Sequence, residues 1–190
     1  MVRKLLLTLS VLLVGGSLLT FGINAVFTDT ASVPGNTFST GNVDISTSPT
    51  SALVTFSDMM PGDVVTAPLT VTNAGGGQLR YAVTSTTTED TLAAQLDLTV
   101  KSGVTTCTNG GFGASGSVLY GPADLGSTGG INVIGDSAQG AQAGDRTLNA
   151  AASEVLCFQV SLPLSTGDAY QSLTTTATFA FNAEQTANNP

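Results

Sequence analysis

Alternation with a period of two, repeated along most of the chain beyond its first 25 residues, constrains this sequence more than any other feature. In VVTAPLTVTN (64–73), Val65, Ala67, Leu69 and Val71 fall on one face, and Thr66, Pro68, Thr70 and Thr72 on the other. LRYAVTSTTT (79–88) alternates through Leu79, Tyr81 and Val83, and LDLTVK (96–101), SVLYG (117–121), VLCFQVSLPL (155–164) and LTTTATFAFNA (173–183) continue the pattern. Successive side chains of a strand point to opposite faces, so an apolar row meets a core while a threonine row meets water. Such patterning predicts half-buried antiparallel strands. Pro68 has no N–H to give to a ladder, which predicts an edge or a bulge at that point.

Between these runs stand MPGD (60–63 with Met60 first), NAGGG (73–77), TNGGFGASG (108–116) and AQGAQAGD (138–145). Glycine reaches positive φ without a steric penalty, and Asp or Asn bonds its own backbone, so these segments predict turns. Only EDTLAAQ (89–95) and GPADLG (121–126) carry the residues of a short helical turn. Strands at this spacing around one core predict an all-β fold: a single jelly-roll-like antiparallel β-sandwich with long glycine-rich loops. The poorly patterned stretch 108–150 is expected to be a long excursion on the sandwich rim.

The beginning of the chain is different. MVRKLLLTLSVLLVGGSLLTFGINA has Arg3 and Lys4 ahead of an apolar run from Leu5 to Ile23, with small Ala25 as the cleavage position. That is the layout of a secretory signal peptide over 1–25, leaving 26–190 as one domain of ordinary size. A run of about 19 residues also reaches the length of a membrane span, so an uncleaved signal is the one membrane attachment the sequence offers. Gly15, Gly16, Ser17 and Asn24 weaken it as a permanent helix.

Charge and cysteine content narrow the function. Removing Arg3 and Lys4 leaves three basic residues against thirteen acidic ones, a net charge of −10. A surface so acidic argues against nucleic acid and against electrostatic docking on anionic lipid, both of which need a basic counter-surface. The two cysteines, Cys107 and Cys157, read as one disulfide in an exported chain. A metal pair competes with that reading, but two thiolates with no histidine make a poor zinc site.

Catalytic constellations are scarce. With no histidine in the chain, the Ser-His-Asp, Cys-His and H-E-x-x-H arrangements are all excluded. GFGASG (111–116) lacks the lysine and the following helix of a nucleotide-binding loop. The aspartates, Asp29, Asp44, Asp58, Asp63, Asp124, Asp136, Asp145 and Asp168, are scattered, most of them beside Gly or Ser, and no calcium-loop spacing links them. Gly62-Asp63 and Gly144-Asp145 read as turn residues. No catalytic residue, metal or cofactor is assigned.

Several pieces taken in order resemble a known family: AVFTDT (25–30) just past the signal, NTFSTGNVDI (36–45), MPGD before a strand ending in Asn73-Ala74-Gly75, VLYGPADL (118–125), and YQSL with FAFNAEQ (170–185). The chain is similar to the TasA–camelysin family of secreted β-sandwich proteins, exported with the dedicated signal peptidase SipW. The best understood members build biofilm-matrix fibres. The resemblance implies a secreted structural subunit, in the extracellular matrix or on the cell surface, whose partners are further copies of itself or related matrix proteins. It also implies a donor-strand segment over 26–45, with Phe27, Phe38, Val43 and Ile45 as apolar anchors, which completes a groove between the sheets of a neighbour. Pro34 and Gly35 supply a bend in it. Residues 36–45 serving simply as the first strand of their own sandwich is the plainer alternative. Part of the family is described as metallopeptidase, an enzymatic alternative that the absence of histidine does not favour. A monomeric surface adhesin using the 108–150 loops is the third reading.

Overall fold

The computed structural model describes residues 39–50, 53 and 58–189. The signal segment, Ala25, Phe27 and Phe38 lie outside the described residues. Among the described residues there are nine strands: β1 (Ile45–Ser48), β2 (Val64–Asn73), β3 (Leu79–Thr87), β4 (Asp97–Ser102), β5 (Ser117–Asp124), β6 (Ile131–Ile134), β7 (Arg146–Leu148), β8 (Ser153–Ser161) and β9 (Ala177–Gln185). The one helical element among the described residues is a 3-10 turn over Asp168–Tyr170.

The strands form two antiparallel sheets. One runs β1-β2-β8-β4-β5. The other is built on β3, which pairs with β9 along its full length from Leu79 to Thr87. A strand has two edges, so β6 (at Val83–Ser85) and β7 (at Leu79–Tyr81) share the other edge of β3 end to end. The chain crosses between sheets at β2–β3, β3–β4, β5–β6, β7–β8 and β8–β9. This is the all-β sandwich that the alternation predicts.

Its core comes from the inward rows. Leu69 and Val71 of β2, Leu98 and Val100 of β4, and Leu156, Phe158 and Val160 of β8 face Leu79, Tyr81 and Val83 of β3. Burial of these apolar side chains is the main favourable term in folding. At the β2–β3 corner, Asn73 is fully buried. Its Oδ1 accepts from Gly75 N at 2.9 Å, and its Nδ2 donates to Gly77 O at 2.8 Å and Leu148 O at 3.0 Å. A buried amide with its donors and acceptor satisfied rigidifies a corner that an apolar residue could not hold.

Two expectations are corrected. Residues 121–126 do not form a helical turn: β5 continues to Asp124, with Ala123 opposite Leu98 and Asp124 opposite Asp97. The exposed edge of β4 offers backbone partners that a lone turn does not, and tertiary pairing overrides the local preference. The 108–150 stretch is likewise not only a rim excursion, since it supplies β5, β6 and β7 to both sheets. The other helical turn does form: Leu96 N donates to Leu92 O, and the Glu89 carboxylate accepts from Thr91 N and Leu92 N at 2.7 and 2.9 Å. A carboxylate on the free N–H groups of a first turn is favourable in charge as well as in hydrogen bonding.

Candidate functional site

The two long margins of the sandwich are finished differently. On one margin, β1 has four residues and covers only Thr70–Asn73 of β2 before the chain reaches Pro49. Among the described residues, the edge of β2 over 64–69 therefore has no strand beside it. Facing it across the sandwich is β9, which has β3 on one side and no strand on the other among the described residues. Between these margins lies a groove of about 370 Å³ with an apolar floor of Pro49, Leu53, Leu69, Ala177, Phe179 and Phe181, edged by the threonines Thr47, Thr50, Thr176 and Thr178.

The groove floor is apolar because both sheets turn their inward rows toward it. Phe179 packs on Phe158 with ring centroids 5.0 Å apart, and Phe181 on Tyr81 at 6.0 Å. These tilted aromatic contacts anchor the inner side of each ring. Both residues are half-buried where a completed sandwich buries such side chains.

The segment leading to β1 is held against the β2–β3 corner of its own chain. Ala74 N donates to Asp44 O at 2.8 Å, and Gly76 N to Asn42 Oδ1 at 3.3 Å. Glycine is needed at 75, where a Cβ would lie 2.5 Å from Asn42 O. Of the predicted donor anchors, Ile45 is the first residue of β1, opposite Asn73 and packed on the core, while Val43 is 45 % exposed. The hold therefore begins at Asn42, next to Gly41, which has no atom near its Cβ direction.

Cys107 and Cys157 form a disulfide, with Cα atoms 5.7 Å apart. Cys157 lies between the inward-facing Leu156 and Phe158, so it faces outward, yet it is buried. The loop between β4 and β5 covers it. Lys101 holds that loop by donating to Phe112 O at 3.0 Å and placing its ammonium 4.7 Å from the Phe112 ring centroid, and Asn109 Nδ2 donates to Val64 O at 2.7 Å. The strap gives the five-stranded sheet a second small apolar layer on its outer face.

Several polar groups at the sheet-to-sheet contact are structural partners of one another. Glu154 on β8 accepts from the Tyr81 hydroxyl at 2.7 Å and from Arg146 Nη2 at 2.5 Å, tying the two sheets together. Burial, then the hydrogen bond to Glu154, pushes the Tyr81 hydroxyl far above the usual phenol range. A cavity of about 160 Å³ contains Arg80, Asp136, Asp145 and Glu184. Its carboxylates are engaged by the backbone: Asp145 accepts from Asp136 N and Gln142 N, and Glu184 from Gly140 N and Arg80 Nε. These contacts pin the 136–145 loop to β9.

The first 106 residues carry a family signature. They match the camelysin metallo-endopeptidase family over residues 1–106, more than half of the chain. The chain belongs to the camelysin family. No curated protein matches it. Membership and the disulfide agree with a secreted or cell-surface protein. The matched stretch takes in β1 to β4 and stops just before Cys107, so the β9 wall of the groove lies beyond it.

The metal implied by the family's description meets no fitting donor set. The chain has no histidine, and among the described residues no three of its Cys, Asp and Glu side chains gather as metal ligands. Both sulfurs are in the disulfide.

Proposed function

We propose that this camelysin-family chain is an exported structural subunit of an extracellular or cell-surface fibre, in which the N-terminal segment of one copy occupies the intersheet groove of the next. The observation that carries the reading is the groove between β1/β2 and β9, in whose wall Phe179 and Phe181 are only half-buried. An inserted segment carrying phenylalanine and β-branched side chains would bury those rings and gain main-chain hydrogen bonds to a sheet edge. The sequence ahead of Gly41 supplies Phe27, Val33 and Phe38 for that purpose. Because the segment and the groove are different surfaces, the contact is head-to-tail. A head-to-tail contact that does not close on itself gives an open filament.

The test is electron microscopy of the processed protein beside a variant lacking residues 26–35. The reading expects filaments from the first and folded monomers, with the same circular dichroism, from the second. Equal polymerisation of both would refute it. The family's description favours a second reading, a metallo-endopeptidase. Casein hydrolysis lost with chelator and restored with zinc would establish it.

A further inference from the structure

We infer that the incoming strand pairs with the outer edge of β9, antiparallel to it, and not with the bare part of β2; this rests on the fibre reading above. Sheet edges are pairing templates, and proteins ordinarily guard them with proline, bulges, charge or brevity. The edges of this sandwich differ sharply in that respect. On β5, Pro122 removes a donor, and its register with β4 shifts between Leu98 and Val100 and again between Val100 and Lys101. β1 has four residues, and β6 and β7 have four and three. The bare part of β2 over 64–69 has Pro68 within it, at an exposed position. β9 has none of these guards. It runs nine residues in unbroken register with β3, contains no proline, and is uncharged from Ala177 to Ala183. In a chain of net charge −8, an uncharged edge is one that another copy approaches without local repulsion.

Side chains agree with the backbone. Phe179 and Phe181 of β9 face the groove, so a strand laid along β9 on that margin also covers their exposed parts. Ala180 and Asn182 face solvent, Thr178 is exposed at the groove's rim, and all three are neutral.

The direction follows from where the segment leaves its own subunit. Asn42 and Asp44 are bonded at the β2–β3 corner. β9 runs toward that same end, since Ala177 pairs with Thr87 and Gln185 with Leu79. In a head-to-tail stack, the segment from one copy reaches the next at the end where β9 begins. Its own chain runs back toward Gly41, opposite to β9.

Hydrogen–deuterium exchange on the full processed protein, polymer against dilute monomer, tests this. Amides over 177–183 are expected to exchange ~10-fold or more slowly in the polymer, with 64–69 unchanged. Protection of 64–69 in place of 177–183, or of neither, would overturn the β9 assignment while leaving the fibre intact. Failure to form any polymer would remove the fibre reading itself, and this inference with it. Direction is read by benzoylphenylalanine at position 38. Cross-links near Ala177 support the antiparallel arrangement, and cross-links near Ala183 contradict it.

Discussion

β8 and β9 are both nine-residue strands of alternating character, and both carry phenylalanine toward the same core. Phe158 of β8 is fully buried, whereas Phe179 and Phe181 of β9 remain half-exposed. The difference lies in the neighbours. β8 sits between β2 and β4, and the strap held by Cys107 covers its outer face at Cys157. β9 has β3 alone. A strand's own pattern sets which side chains face inward, and the elements beside it set how completely they are buried.

The comparison is broken most directly at Phe158. Phe158→Ala should cost about 3–5 kcal/mol, because the ring leaves a cavity enclosed on all sides. Urea or thermal unfolding measures it. Removing the strap comes next. The double variant Cys107→Ala with Cys157→Ala loses a 50-residue cross-link, a destabilisation of roughly 4 kcal/mol by the chain-entropy relation, and a smaller shift would show the loop already ordered by Lys101 and Asn109. Phe181→Ala should cost less, about 1–2 kcal/mol, since only part of the ring is removed from water. Its larger effect is expected on polymer yield under electron microscopy. Equal losses of stability at Phe158 and Phe181 would mean that the groove is already part of a closed core.

Acid gives the smallest effect and separates the same regions. Amide and hydroxyl donors of Thr128 hold Asp90 below its ordinary value. Burial pulls Glu89 upward, but its backbone bonds from Leu92, Ala93 and Thr91 outweigh this and leave it lowered. Glu184 on β9 is lowered chiefly by Asn189, with Arg80 and Gly140 adding to the effect against desolvation. A lowered folded-state pKa means that the unfolded chain binds more protons across the interval, so stability rises with pH there. The contribution is complete above the ordinary carboxylate range and falls away as pH drops below ~4 through the depressed values. Denaturation followed between neutral and acid pH should show that modest slope, and Glu184→Gln should remove the part belonging to β9.

Legibility in the sequence followed the locality of the cause. The run 64–73 is β2 residue for residue, because alternation and flanking turns are local signals. Pro68 was readable as an edge residue for the same reason, and it lies below the reach of β1. The short strands β6 and β7 were not readable. Each is too brief to show a period, and each exists because β3 offers it an edge. The 3-10 turn at Asp168–Tyr170 has no distinguishing pattern of its own and also escaped. The disulfide pairing was readable from a count of two cysteines behind a start with the layout of an export signal. The strap that it makes over Phe112 was not.

The sequence by itself determined an acidic, all-β chain with one cross-link and no histidine chemistry, because composition and a two-residue period are properties of the chain. Only the tertiary structure decided which edges are guarded and where Phe179 and Phe181 lack a neighbour. Those are properties of strands far apart in sequence, and no local pattern records the absence of a partner.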